Sequence, residues 1–231
     1  MGAREAAERY RNNPDNDFHT MVTEMIYGNK FDRRWLDKEF NDAAMSKRGK
    51  KMRSDTKEIG LGLCYGMGGA KMCRKTGHDT KWITTRAGKD VEIAGDSGQA
   101  LLDLFDSKVP FIKELARRAE NRAKSRGYIR TILGRRLNFP LKKDGSGGYD
   151  WTYKALNKLI QGSSADQTKQ AMVDADDAGI KLQLQVHDEL DLSIGSMDEA
   201  NHLVDIMVNC VPSNVPAKVD LEVGPSWGEI K

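Results

Sequence analysis

Between residues 182 and 194 the chain keeps a strict period of two. Leu182, Leu184 and Val186 alternate with Gln183 and Gln185, and Leu190, Leu192 and Ile194 continue the pattern beyond His187-Asp188-Glu189. Side chains alternate across a strand, so this pattern predicts a β-hairpin with one apolar face. All six apolar residues are even-numbered. For them to share a face, Val186 must lie opposite Leu190, with His187 to Glu189 as the loop and Asp188 at its tip. Two strands then hold an acid pair rigidly while the turn exposes it, an arrangement suited to magnesium, which prefers carboxylate oxygens. The same three residues are also ordinary turn formers, so the tip taken alone reads first as a simple polar turn.

Most of the remaining chain reads as helical. Helices are predicted over 18–27, 51–65, 99–126 and 155–178, the last with Leu156, Leu159, Ile160, Ala165 and Met172 as its buried positions. Gly66, Gly68 and Gly69 stop the second helix. Gly60 and Gly62 weaken it by roughly 1 kcal/mol each relative to Ala, so they need a reason, such as close approach by a ligand or a base. A last strand is predicted over 217–223, before Gly224-Pro225. Helices followed by a hairpin and a strand make the expected fold class α+β.

Composition excludes several alternatives. Hydrophobic residues make up 39% of the 231, enough for a packed core, and charged residues 31%. No run of about 18 apolar residues occurs, so no membrane-spanning helix is expected. The opening MGAREAAERYRNNPDND is too polar for a secretion signal, and Ala6 stands where a myristoylation motif needs Ser or Thr. Cys64, Cys73 and Cys210 are too few and too scattered for a disulfide framework or structural zinc. The cytoplasm of a cell is the expected location. Net charge is only +3, but between Lys113 and Lys143 eleven Lys or Arg face two Glu. That excess suits either a phosphate backbone or a solvated helix face.

In KMRSDTKEIGLGLCYG, Arg53, Lys57, Leu61 and Tyr65 recur every four residues. Each step of four advances about 40° around a helix, so they form one slanting stripe. Two cations, an apolar group and an aromatic suit a nucleotide's phosphates, sugar and base. The spacing is also met on a solvated basic face with a buried tyrosine.

The motifs together are more specific than any one of them. Arg53, Lys57, Tyr65 and Gly66 stand as R-x3-K-x7-YG, which resembles the fingers-helix motif of family A DNA polymerases. VHDE at 186–189 is similar to their last catalytic motif. TILGRR at 131–136 and N-x3-QGSSAD at 157–166 resemble their palm motifs. DFHT at 17–20 is similar to the segment preceding the fingers helix, and EVGPSWGE at 222–229 to the C-terminal end. The short spacing and the closing GPSWGE resemble phage members.

This resemblance implies a right-hand polymerase: a helical lead-in over 1–14, fingers over 15–125, and the C-terminal part of an antiparallel-sheet palm over 126–231. It implies template-directed nucleotidyl transfer from a dNTP to a primer 3′-OH on primer–template DNA. His19, Arg53 and Lys57 would bind the triphosphate, with Lys57 protonating the leaving pyrophosphate. Leu61, where many relatives carry Phe or Tyr, would meet sugar and base and alter sugar discrimination. Tyr65 would sit by the template base. Asn157 and Gln161, at i and i+4, would face the minor groove, where amides report pair shape rather than sequence. Arg135 and Arg136 would hold phosphates, and His187 would touch the primer terminus. Asp188, supported by Glu189, would ligate catalytic magnesium, one of two ions about 3.5–4 Å apart.

Two-metal transfer needs carboxylates from two places. The family's other aspartate lies in D-Y-S-x-I-E-x-R, and no such segment occurs in this sequence. The expectation is a split polymerase whose second polypeptide brings that motif, the thumb and any exonuclease. The alternatives are a fragment of a longer polymerase, a non-catalytic primer–template-binding module, or a phage-type RNA polymerase, which shares R-x3-K-x7-YG but usually reads HDS where this chain reads HDE. A palm without its motif-bearing strand would expose an unpaired sheet edge.

Overall fold

Polar caps and glycine stops set most of the helix boundaries. The computed structural model describes residues 2–13 and 16–230; the Met1-Gly2 opening and residue 14 of the lead-in involve positions outside the described residues. Helix α1 spans Ala3–Asn12 and α2 Phe18–Tyr27. Asp17 caps α2 by accepting from the Thr20 N–H at 2.8 Å, and Gly28 ends it at φ 53°. The long helix α3 covers Ala43–Cys64, eight residues earlier than its predicted start. Asp42, accepting from the N–H groups of Ala44 and Met45 at 3.0 Å, supplies the missed cap. Helix α4 follows over Gly69–Thr76, then strands β1, Thr80–Thr84, and β2, Asp90–Ala94. That hairpin lacks the strong alternation of residues 182–194 and is not foreseen.

The single helix expected over 99–126 is two: α5, Asp96–Lys108, and α6, Pro110–Arg126. Pro110 has no N–H to continue α5 and restricts Val109, so a new helix starts at the proline itself. Strands β3, Tyr128–Arg130, and β4, Arg136–Asn138, lead to α7, Ala155–Asp177. Strands β5, Leu184–Val186, and β6, Glu189–Asp191, precede α8, Met197–Asn209. Helix α8, also unforeseen, opens on Ser196, which accepts from the Glu199 N–H while Glu199 accepts from the Gly195 N–H at 2.9 Å.

The class is α+β, as expected, but the strands form three separate antiparallel hairpins. Residues 217–223 join no strand ladder among the described residues. A strand is defined by its partner, and apolar content alone does not supply one.

Core packing is arranged around α6. Its N-terminal half contributes Val109 and Ile112 to a cluster with Val22, Ile26, Ile59, Met72 and Phe105. Its C-terminal half contributes Ala119 and Ala123 to a second cluster with Ile129, Phe139 and Ala155. Leu156 of α7 reaches back into the first cluster. A third cluster gathers Ala175, Ile180 and Leu203 beneath the last hairpin. Gly62 serves this packing, since a Cβ there would lie 2.8 Å from the Met72 sulfur, whereas one at Gly60 would make only ordinary contact with the Phe105 ring at 3.5 Å. Within α7, Leu156 is buried as expected, whereas Ile160 points outward and Asp166 is buried.

The hairpin register differs by one residue from the expectation. Val186 pairs with Glu189, Gln185 with Leu190 and Leu184 with Asp191. The connection is therefore the two residues His187-Asp188, with His187 left-handed at φ 55°. Paired residues share a face, so the apolar set divides. Leu190 and Leu192 of the second arm pack on the third cluster, as does Leu182 before β5, while Leu184, paired with Asp191, stays 45% exposed. Accessible surface totals 15023 Å², against about 10,500 Å² expected for a folded monomer of this mass.

Candidate polymerase site

The stripe on α3 faces a polar knot at the start of α2. Asp17 Oδ2 accepts from the Thr20 N–H, from Thr20 Oγ1 and, at 2.8 Å, from Arg53 Nε. Arg53 Nε also donates to Thr20 Oγ1 at 3.1 Å. Burial alone would raise the Asp17 carboxyl, but the hydrogen bonds from Arg53 and Thr20 outweigh it and hold the group well below the usual carboxylate range. Asp17 thus fixes the Arg53 guanidinium through Nε and leaves its outer nitrogens pointing onward. Sequence reasoning placed DFHT in a motif but gave Asp17 no role; its acid two residues before His19 was the available signal.

His19 lies beside this knot, and its Nδ1 is buried without a hydrogen-bond partner. Burial lowers its pKa, Asp17 opposes that, and Arg53 and Lys57 add to the lowering. The imidazole is therefore held neutral at neutral pH. Further along the stripe Lys57 is exposed, Leu61 half-buried and Tyr65 45% exposed.

Tyr65 joins the stripe to α7, its hydroxyl accepting from Gln161 Nε2 at 3.1 Å. Gly66, at φ 67°, allows the close approach that follows: a Cβ there would lie 3.2 Å from the Tyr153 carbonyl oxygen. Asn157 is half-buried one turn before Gln161.

The TILGRR and QGSSAD segments clasp each other. Arg135 Nε donates to Asp166 Oδ1 at 2.7 Å, and Arg135 Nη2 donates to the Gly162 carbonyl at 3.0 Å. Ser163 Oγ accepts from the Ile132 N–H at 3.1 Å, and Thr131 Oγ1 accepts from the Arg135 N–H at 3.0 Å. Asp166 is only 5% exposed. Burial would raise its pKa, but Thr131 and Arg135 overcome that and keep it lowered. Arg135 is thus committed to holding the turn against α7. Arg136 lies with its guanidinium carbon 4.6 Å from the Tyr128 ring centre.

His187 and Asp188 form the turn of the last hairpin, with Glu189 at the first pair of β6; all three are exposed. Their carboxylates are oxygen donors of the type magnesium takes. No group of three or more metal-ligating side chains occurs among the described residues. Among the described residues no helix is long and apolar enough to cross a membrane.

The α3 stripe, the Arg135–Asp166 clasp and the acidic hairpin tip lie on one α+β chain in the order of the polymerase motifs they resemble. The chain belongs to DNA polymerase family A, whose model matches residues 11–229. It is 46% identical over 247 residues to the DNA-directed DNA polymerase of Pseudomonas phage M6, covering 99% of this chain and 33% of that protein. It is 30% identical to the thermostable DNA polymerase I of Thermus filiformis, over 78% of this chain and 21% of that one. The POL domain of Pol1 from M. smegmatis, solved with DNA primer-template and dNTP, shares the fold at TM-score 0.66 and 24% identity, covering 92% of this chain and 34% of that chain. The chain spans about a third of the length of its phage relatives. Members of the family generally use divalent metal ions.

Proposed function

We propose that this chain carries the fingers and the C-terminal part of the palm of a DNA-directed DNA polymerase acting in phage-type DNA replication. The observation that carries the reading is the Tyr65–Gln161 hydrogen bond. It brings the end of the Arg53-Lys57-Leu61-Tyr65 stripe against the helix face of Asn157 and Gln161, so phosphate-binding and pair-sensing groups border one space. Arg53, oriented by Asp17, Lys57 and neutral His19 bind the triphosphate of a dNTP. Lys57, the exposed cation of the three, donates a proton to the departing pyrophosphate, stabilising charge that grows in the transition state. Leu61 meets the sugar and Tyr65 the template base. Asn157 and Gln161 lie along the minor groove, Arg135 and Arg136 near strand phosphates, and His187 at the primer terminus.

Asp188, with Glu189, holds magnesium at the exposed turn; bound there, the ion supplies Lewis-acid stabilisation of the phosphoryl oxygens. A second carboxylate comes from polypeptide outside this sequence, which in our reading is a separate chain also bringing thumb and any exonuclease, assembled in the bacterial cytoplasm. Support comes from the hairpin itself, which pairs only its own two strands and leaves Leu184 45% exposed.

Primer extension with magnesium and dNTPs tests this. The arms are the chain alone, the chain with the polypeptide encoded immediately upstream, and that pair carrying Asp188→Ala. Extension by the intact pair only is the expected result. Extension by the chain alone overturns the second-carboxylate assignment. DNA binding without extension in any arm overturns the catalytic reading in favour of a binding module, and ribonucleotide incorporation favours an RNA polymerase.

A further inference from the structure

The basic run noted in the sequence builds a groove that the roles above leave unused. Arg118, Arg122 and Arg126 repeat every four residues along α6, and Arg130 follows on β3. All four line one cleft of about 180 Å³, together with Tyr128 and Leu159. No carboxylate lines it. The two acids of α6 do not neutralise it: Glu120 pairs with Lys124 at 2.7 Å, and Glu114 reaches Arg118 only at 4.0 Å. Arg122 and Arg126 have no ion-pair partner among the described residues. Four guanidinium groups in one concavity repel each other, and the field they create is satisfied by a polyanion.

On α7 the groove opens on the side opposite Asn157 and Gln161. Leu159 is two residues from both Asn157 and Gln161, about 200° around α7 from each. The amides therefore point to one side of the helix and the groove opens on the other.

We propose that this arginine groove is a second nucleic-acid site, taking the phosphodiester backbone of single-stranded DNA on the reverse face of α7. Three arginines at intervals of four residues span about 12 Å of helix, enough to follow a short run of phosphates. The walls are α6, β3 and Leu159 of α7, and a cleft of this size admits one backbone rather than a duplex. The ring of Tyr128 is flanked by Arg130 at 5.9 Å and Arg136 at 4.6 Å, so it orders cations rather than stacking bases. Recognition is therefore through phosphate and independent of sequence.

The test is fluorescence anisotropy of a labelled oligo-dT 20-mer and of a blunt duplex of equal length, across a salt series, with the full chain. Arg122→Ala/Arg126→Ala is compared with Arg122→Lys/Arg126→Lys and with a same-charge control, Lys38→Ala/Lys47→Ala, on the distant fingers surface. We expect the arginine-to-alanine pair to lose about tenfold or more in single-strand affinity and to lower the salt slope by about 1.4. The lysine pair retains most binding, the control pair nearly all, and duplex affinity changes less than single-strand affinity. Equal losses in the control pair, an unchanged single-strand affinity, or a loss confined to duplex would each overturn the proposal. No catalysis is measured, so the result stands whether or not primer extension is found.

Discussion

Gln161 of α7 donates to the Tyr65 hydroxyl at the end of α3 across 3.1 Å, the two residues being 96 positions apart in sequence. This bond joins the helix stripe to the palm amides. Both groups are solvent-accessible, so each single removal, Tyr65→Phe or Gln161→Ala, should cost about 0.5–1 kcal/mol. The double variant should cost less than the sum, because the partners share one interaction. Urea unfolding of the four proteins checks this; strict additivity would mean that the bond contributes nothing.

The Arg135–Asp166 pair should matter far more. Asp166 is buried, and removing Arg135 leaves its carboxylate without its main partner. Arg135→Ala should destabilise by about 3–5 kcal/mol, the scale for stranding a buried charge. Arg135→Ala/Asp166→Ala should recover part of that loss. Equilibrium denaturation reads both values, and an Arg135→Ala protein as stable as wild type would show that Asp166 is solvated.

Acid should loosen the knot at α2. The Asp17 carboxyl lies below its ordinary value of about 4, so its folded-state contribution is complete above that value. As pH falls below 4 the unfolded chain takes up the proton first, and stability is lost progressively toward the depressed folded value. Asp17→Asn should remove this part of the acid dependence and should raise KM for dNTP more than it lowers kcat, by freeing Arg53. Melting temperature against pH for the two proteins, with dNTP titration in the assembled enzyme, measures both effects. Identical acid profiles would remove Asp17 from this role.

Asp188 should separate function from stability. It is exposed at the hairpin turn, so Asp188→Ala should shift stability by no more than about 0.5 kcal/mol. Extension by the assembled enzyme should fall by several orders of magnitude. A large loss of melting temperature would mean that the carboxylate holds the turn rather than an ion.

Several elements were legible because their determinants are local. Helix α2 spans Phe18–Tyr27 as expected, between the Asp17 cap and Gly28, and α7 follows its predicted span to within one residue. The split between α5 and α6 was available in Pro110 and was overridden by the apolar period around it. The start of α3 rested on Asp42, hidden among charges that carry no period. Helix α8 is announced in the sequence only by the local S-x-x-E signal at Ser196 and Glu199.

What the sequence determined alone was the class and the ordered set of motifs, because residue type and spacing fix which faces are apolar and which groups sit on one helix stripe. The tertiary structure decided the rest. The hairpin register turned on a left-handed His187, since one residue of slip exchanges the two faces and periodicity does not set the length of a turn. The commitment of Arg135 to Asp166, the packing reason for Gly62, and the four-arginine groove all depend on residues brought together from separate elements. Spacing along the chain states which side chains share an element; which elements meet is set by how the apolar surfaces are buried together.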